Sequence, residues 1–237
     1  MSVQIKHCSF AIFDMDGTLL DSMGKWQNLG REYLSVLGIH PPEDLEERLA
    51  MMSMRESAEY FHRDLGVPGD WKKIVKDLNQ MMEDAYRNTL LLKPGAENYL
   101  EFLKGCGTKL CVLTATPSYL AEMAFERLGV RGYFEFIMDC EMAGSGKTQP
   151  GCYYQAAARL GGEPSQTAVY EDADFALKTA SDAGFYTIGI YDETMKAQRD
   201  YLASICDVYV STYSDLLQDS KRENYDEKGQ GMVMYEF

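Results

Sequence analysis

Phe10-Ala11-Ile12-Phe13-Asp14-Met15-Asp16-Gly17-Thr18-Leu19-Leu20-Asp21-Ser22 is an apolar run that ends in two carboxylates at i and i+2, followed at once by a glycine. Residues two apart on an extended chain point to the same side. Asp14 and Asp16 are therefore expected to face one pocket at the end of a buried strand. A solvated Asp-Gly turn is the competing reading of the same residues. Three later segments, around Thr114, Lys147 and Glu171-Asp172, carry the polar groups that a carboxylate pair would need.

Outward from that stretch the chain has two characters. Residues 7–13 read as a buried strand. From about 21 to 92, Glu, Arg, Leu, Met and Lys dominate. Apolar residues there recur at helical spacing: Leu29, Tyr33, Leu34 and Leu37 before Gly38; Leu45, Leu49 and Met52; Ala58, Phe61 and Leu65 before Gly66; and Ile74, Leu78, Met81, Met82 and Tyr86. The Met51-Met52-Ser53-Met54 cluster is expected to pack in this helical core rather than line a substrate pocket. After Lys93-Pro94-Gly95, strands and helices alternate. The strands are Leu110–Leu113, Phe134–Met138, Thr167–Tyr170, Tyr186–Ile190 and Asp207–Val210; helices fall at 96–104, up to Leu128, from Pro150 to Leu160, and over 173–183. That alternation predicts an α/β fold, a parallel, doubly wound sheet of Rossmann type. Ligands of such sheets lie beyond the carboxyl ends of the strands. We expect a discontinuous α/β core, residues 1–20 and 93–237, interrupted by a small α-helical domain at 21–92, with about 219–237 as a flexible tail.

Composition narrows the functional classes. The 237 residues are 46% hydrophobic and 25% charged, ordinary for a globular chain, and the formal net charge is −14. A chain this acidic is a poor nonspecific ligand for nucleic acid or an anionic membrane. It has no apolar run long enough to span a bilayer and no apolar stretch at its N-terminus that would act as a signal peptide. A cytoplasmic protein, monomeric or weakly dimeric, is expected. Cys8, Cys106, Cys111, Cys140, Cys152 and Cys206 include no CxxC pair and read as reduced, mostly buried residues. His7, His40 and His62 lack ligand-like partners, which argues against zinc.

Asp14, Asp16, Thr114, Glu171 and Asp172 follow the carboxyl ends of expected strands, and Lys147 lies in a loop before the helix that starts at Pro150. Two carboxylates about 4 Å apart repel by roughly 4 kcal/mol at an effective dielectric near 20. They stay ionised together only beside a cation, or else take up protons. Hard oxygen ligands with an open face suit Mg²⁺. A divalent cation beside a lysine and a threonine hydroxyl is an arrangement for a phosphoryl group, whose transfer asks mainly for positioning and charge neutralisation.

In order and spacing these segments resemble the four motifs of the haloacid dehalogenase superfamily of phosphohydrolases. Asp14-Met15-Asp16-Gly17-Thr18-Leu19 is similar to the first motif, Thr114 to the second, Lys147 to the third and Glu171-Asp172 to the fourth. The helical insert is similar to the cap of the subgroup that carries its cap between the first two motifs. The resemblance runs from about residue 8 to 217. It implies a Mg²⁺-dependent phosphatase acting on a small phosphorylated metabolite, sugar phosphates leading. Asp14 would be the nucleophile that forms an aspartyl-phosphate. Asp16 would be the general acid and then the base. Thr114 and Lys147 would grip the phosphoryl group, together with Met15, Asp16 and Ala115. Asp14, the backbone carbonyl of Asp16, Asp172, and Glu171 directly or through water would hold Mg²⁺. Trp26 and Arg55 of the cap would contact the leaving group.

The sequence departs from the family pattern where Thr148 follows Lys147 in place of proline, and where Phe175-Ala176 occupies a position usually held by glycine. Neither change removes a charged group. Gly144-Ser145-Gly146-Lys147-Thr148 invites a P-loop reading, but the glycine required five positions before Gly146 is Glu141. Asp16 and the Glu171-Asp172 pair argue against a metal-free dehalogenase. A β-phosphoglucomutase-like mutase is the alternative. Its family members carry a histidine shortly after the first motif and a cap lysine, and Met23-Gly24-Lys25-Trp26 and Met81-Met82-Glu83-Asp84 supply neither. A noncatalytic phosphate-binding protein of this fold would sooner have lost Asp14 or Asp16.

Overall fold

The computed structural model describes residues 6–49 and 52–217. Met51 and the expected tail lie outside them. The chain folds into two compact units, Met1–Asp21 with Leu91–Phe237, and Ser22–Leu90.

The first unit is a six-stranded, wholly parallel sheet. Its strands are β1 (Phe10–Phe13), β2 (Lys109–Thr114), β3 (Phe134–Asp139), β4 (Thr167–Glu171), β5 (Tyr186–Ile190) and β6 (Val208–Val210), in the order β3-β2-β1-β4-β5-β6. β1 sits between β2 and β4, in the register Phe13↔Val112 on one side and Phe13↔Tyr170 on the other. The strand order reverses at β1, and a crevice beyond the strand ends is expected at that point. Both faces are covered, so the strands are continuously apolar rather than alternating. One face packs Ile12, Leu113, Met138 and Val169 against Tyr153, Ala156 and Leu160 of α7 (Gly151–Leu160) and against Ala180 of α8 (Asp174–Asp182). On the other, Phe13 stacks on Tyr170 with ring centroids 4.0 Å apart, and the Tyr99 hydroxyl lies 2.8 Å from that of Tyr170. Tyr99 belongs to α5 (Ala96–Gly105), and α6 (Ser118–Arg127) packs beside β3. A short helix, α9 (Arg199–Ile205), precedes β6; the sequence pattern predicts no helix there.

The second unit holds α1 (Met23–Val36), α2 (Leu45–Leu49), α3 (Met54–Asp64) and α4 (Trp71–Asn88). α3 begins with a reciprocal capping box between Ser53 and Glu56, and Asp70 caps α4 by accepting the Lys73 N–H at 2.9 Å. Ile74, Leu78, Met82 and Tyr86 form the buried stripe of α4. Leu37, expected in the stripe of α1, is 40% exposed and lies past the helix end; Met52 falls beyond the short α2. Met52 and Met54 are half-buried and line a cavity of about 420 Å³ within this unit, with Trp26, Gly30, Leu49 and Phe61.

All six cysteines are free. Cys8, Cys111 and Cys152 are buried, Cys140 and Cys206 half-buried and Cys106 exposed, so only half meet the expectation of burial. Among the described residues no helix is long and apolar enough to cross a membrane.

Candidate active site

The β1 ladder runs one residue past the strand: the Asp14 N–H donates to the Tyr170 carbonyl at 3.0 Å. The chain then turns back on itself. The Met15 carbonyl accepts the N–H groups of Leu19 and Leu20 at 2.9 and 2.8 Å, and Gly17 donates to the Leu20 carbonyl at 3.0 Å. Gly17 has φ +80°, a conformation that a side chain resists. The loop is anchored from below, where the Tyr213 hydroxyl donates to the Thr18 carbonyl at 3.2 Å. Asp14 is thereby held at the sheet edge, level with Glu171 on the neighbouring strand.

Lys147 reaches this edge from the loop before α7. Its ammonium is ion-paired with Asp14 Oδ1 and lies 2.7 Å from Glu171 Oε1. Asp14, Lys147, Glu171 and Asp172 are all buried. Carboxylate oxygens of Asp14, Glu171 and Asp172 come within 4.8 Å of one another. Burial, and then the charges of Asp14 and Glu171, push the Asp172 carboxyl well above the usual carboxylate range. Burial and Asp14 likewise raise Glu171 against the pull of Lys147 and Tyr153. Burial works to lower the Lys147 ammonium, but Asp14 and Glu171 together hold it above the ordinary lysine value, so it stays charged. One ammonium does not balance three carboxylates. The cluster is all-oxygen, buried and short of positive charge, which fits a hard divalent cation.

Asp16 is half-buried, and its Oδ2 accepts the Thr116 hydroxyl at 2.7 Å. Its side chain is not part of the carboxylate cluster of Asp14, Glu171 and Asp172. Thr114, at the end of β2, is 1% exposed, and its hydroxyl oxygen accepts the Thr116 N–H at 3.0 Å. That bond occupies the oxygen and leaves the hydroxyl proton for an incoming acceptor. The Met15 side chain is fully buried, so only its backbone can meet a ligand, whereas Ala115 is exposed.

The structure thus gathers Asp14, Lys147, Glu171 and Asp172 in one buried cluster, while Thr116 links Asp16 to Thr114. Trp26 and Arg55 belong to the helical unit. There the Trp26 indole N–H donates to the Tyr86 hydroxyl at 3.2 Å, and Arg55 pairs with Glu59 and lies over the Trp71 ring.

Three residues at the site escape a reading of the sequence. Thr116 holds Asp16. Tyr153 donates to Glu171 Oε1 at 3.0 Å; burial and the Glu171 charge raise its phenol, so it keeps its proton. Asp139, at the end of β3, accepts the N–H groups of Ser118 and Met142, each at 2.8 Å. It ties the start of α6 to the loop that leads to Lys147. Burial works to raise its carboxyl, but these backbone donors together hold it below the usual value. The one available signal was position: Asp139 ends β3 and Thr116 lies just past β2, where the topology puts the site.

A curated relative, the phosphorylated carbohydrates phosphatase of Thermotoga maritima, is 28% identical over 75% of this chain and 82% of its own. The β-phosphoglucomutase of Bacillus subtilis is 26% identical over 76% of this chain and 81% of its own. Among solved structures, CbbY from Rhodobacter sphaeroides in complex with phosphate superposes with a TM-score of 0.71 at 20% identity, covering 88% of this chain and 96% of that one. The family model for haloacid dehalogenase-like hydrolases matches residues 11–190. That span takes in Asp14 and Asp16, the loop of Lys147 and the Glu171-Asp172 pair, and the chain belongs to the haloacid dehalogenase-like hydrolase family.

Proposed function

We propose that the protein is a Mg²⁺-dependent phosphatase that hydrolyses a small phosphorylated metabolite, a sugar phosphate in the first instance, through an aspartyl-phosphate on Asp14. The observation that carries this reading is the Lys147 ammonium bridging Asp14 and Glu171 beside the buried Asp172 carboxylate. The name of the Thermotoga maritima relative supports the substrate class.

Asp14, the Asp16 carbonyl and Asp172 would hold the cation, with Glu171 joining directly or through water. When bound, it neutralises the carboxylates and draws charge from the phosphoryl oxygens. The side chains do the rest. An Asp14 carboxylate oxygen attacks phosphorus and the bond to the leaving oxygen breaks; Asp16 delivers its proton to that oxygen. Asp16 then takes a proton from water, the water oxygen attacks phosphorus, and the Asp14–phosphorus bond breaks to release inorganic phosphate. A general acid and base in this role is worth about 10²–10⁴-fold. Lys147 spends two N–H groups on Asp14 and Glu171 and has a third for a phosphoryl oxygen. Thr114 offers the hydroxyl proton that its own bond from Thr116 leaves free.

The test is phosphate release from a panel of small phosphate esters, with Mg²⁺ or with EDTA. β-Glucose 1-phosphate with its bisphosphate activator runs alongside, because the Bacillus subtilis relative is named a mutase. Mg²⁺-dependent phosphate release, lost with EDTA and restored by Mg²⁺, is expected. Asp14→Asn is expected to abolish turnover while the protein stays folded. Conversion of the glucose ester to its 6-phosphate without phosphate release would make the protein a mutase. Full activity in Asp14→Asn would sink the covalent mechanism.

A further inference from the structure

Glu171 is held from two sides. Its Oε1 accepts the Lys147 ammonium at 2.7 Å and the Tyr153 hydroxyl at 3.0 Å, while Oε2 has no hydrogen-bond donor among the described residues. Tyr153 lies in the first turn of α7, six residues after Lys147, and its side chain is fully buried. Its ring rests against Phe185, centroids 6.0 Å apart, inside the cluster that joins α7 to the sheet. The hydroxyl therefore has little freedom to swing away. The Ala176 carbonyl lies 3.5 Å from it, a longer and uncharged alternative; the nearer acceptor with the carboxylate charge takes the proton. The terminal torsion of a glutamate is broad and roughly two-fold. One donor on Oε1 leaves that torsion soft, whereas two donors from different directions fix it. The next residue shows the contrast. Tyr154 is half exposed, and its hydroxyl reaches only the Ala183 carbonyl at 3.5 Å.

We propose that Tyr153 is a positioning residue whose hydroxyl fixes the rotation of the Glu171 carboxylate, committing Oε1 to Lys147 and keeping Oε2 for the cation side of the site. The proposal rests on the reading of this site as a Mg²⁺-dependent phosphatase centre. Groups that orient a metal's carboxylates typically contribute 10–100-fold to metal affinity.

The experiment titrates purified protein with MgCl₂ by calorimetry and, separately, follows the Mg²⁺ concentration needed for half-maximal phosphate release. Tyr153→Phe keeps the ring and removes one oxygen. Its Kd for Mg²⁺ is expected to rise about tenfold, with the melting temperature close to wild type. Phe185→Leu loosens the ring's neighbour and keeps the hydroxyl; it is expected to lower the melting temperature and leave the Mg²⁺ Kd in place. Should Tyr153→Phe fail to fold, Tyr153→Met, which also lacks the donor, carries the same expectation. An unchanged Mg²⁺ Kd in the hydroxyl-deleted variant overturns the proposal. So does an equal shift in Phe185→Leu, which would assign the effect to packing. Wild-type protein that binds no Mg²⁺ overturns the phosphatase reading as well, which separates the two failures.

Discussion

A threonine hydroxyl 2.7 Å from Asp16 Oδ2 helps to hold that carboxylate in place. Thr116 is itself fixed, through its N–H, to the Thr114 oxygen. Phosphoryl transfer depends on such placement, and a displacement of about 1 Å in a catalytic group can cost roughly 10²-fold. Thr116→Val, which keeps the shape and removes the donor, is expected to lower kcat by about 10–100-fold with a smaller change in KM; steady-state kinetics on the preferred ester read it. The residues of the proposed site were legible in the sequence because all but Lys147 stand at or just past a strand end, and Lys147 lies in a loop at a recognisable spacing from them. Their supports were not. Thr116 meets Asp16 across 100 positions of sequence, a separation no periodicity reports. Tyr153 and Tyr154 are adjacent and chemically identical, and only the rotation of α7 against the sheet sends one inward and the other to solvent.

Elements place these residues by close approach. Gly162 ends the turn after α7, where a Cβ would run into the Phe10 ring at the start of β1. Gly162→Ala must therefore displace Phe10, and overpacking of this kind costs about 1–3 kcal/mol; a lower urea midpoint with an unchanged slope is the expected result. Strands and most helices were legible because their apolar runs and their glycine and proline boundaries agree. The strand beginning at Phe134 and the helix ended by Gly161 are examples. α9 was missed for a physical reason: Arg199–Ile205 buries Leu202 and presents the rest to solvent or half-burial, so it shows no stripe. The α1 stripe was read one residue too long, because Leu37 looks periodic yet falls where the helix has ended and Gly38 turns with φ +71°.

In the whole molecule, acid sensitivity has an identifiable source away from the carboxylate cluster. Lys93 donates to Asp192 Oδ2 at 2.8 Å and to the Tyr191 carbonyl at 2.7 Å, with both side chains of the ion pair largely buried. Burial works to raise the Asp192 carboxyl, but the bonds from Lys93 and Thr194 together hold it below the usual value. A carboxyl depressed in the folded state contributes stability that is complete above its unfolded pKa near 3.9 and is lost as pH falls through the lower folded value. Asp192→Asn is therefore expected to be less stable than wild type at pH 7, with the gap narrowing below about pH 4; urea midpoints at the two pH values read it. The parallel sheet was legible from alternation alone, whereas the strand order was not, because spacing along a chain does not say on which side of β1 each later strand lies. That order has a consequence for descent. β1 pairs directly with β2, so residues 14–108 form one closed loop on the sheet, and most of that loop is the helical unit. The entropy of closing a loop grows only with the logarithm of its length, about 0.6 kcal/mol for each doubling. A lineage can lengthen, shorten or replace what hangs from this point with little penalty to the sheet, leaving the machinery untouched while its appendage diversifies.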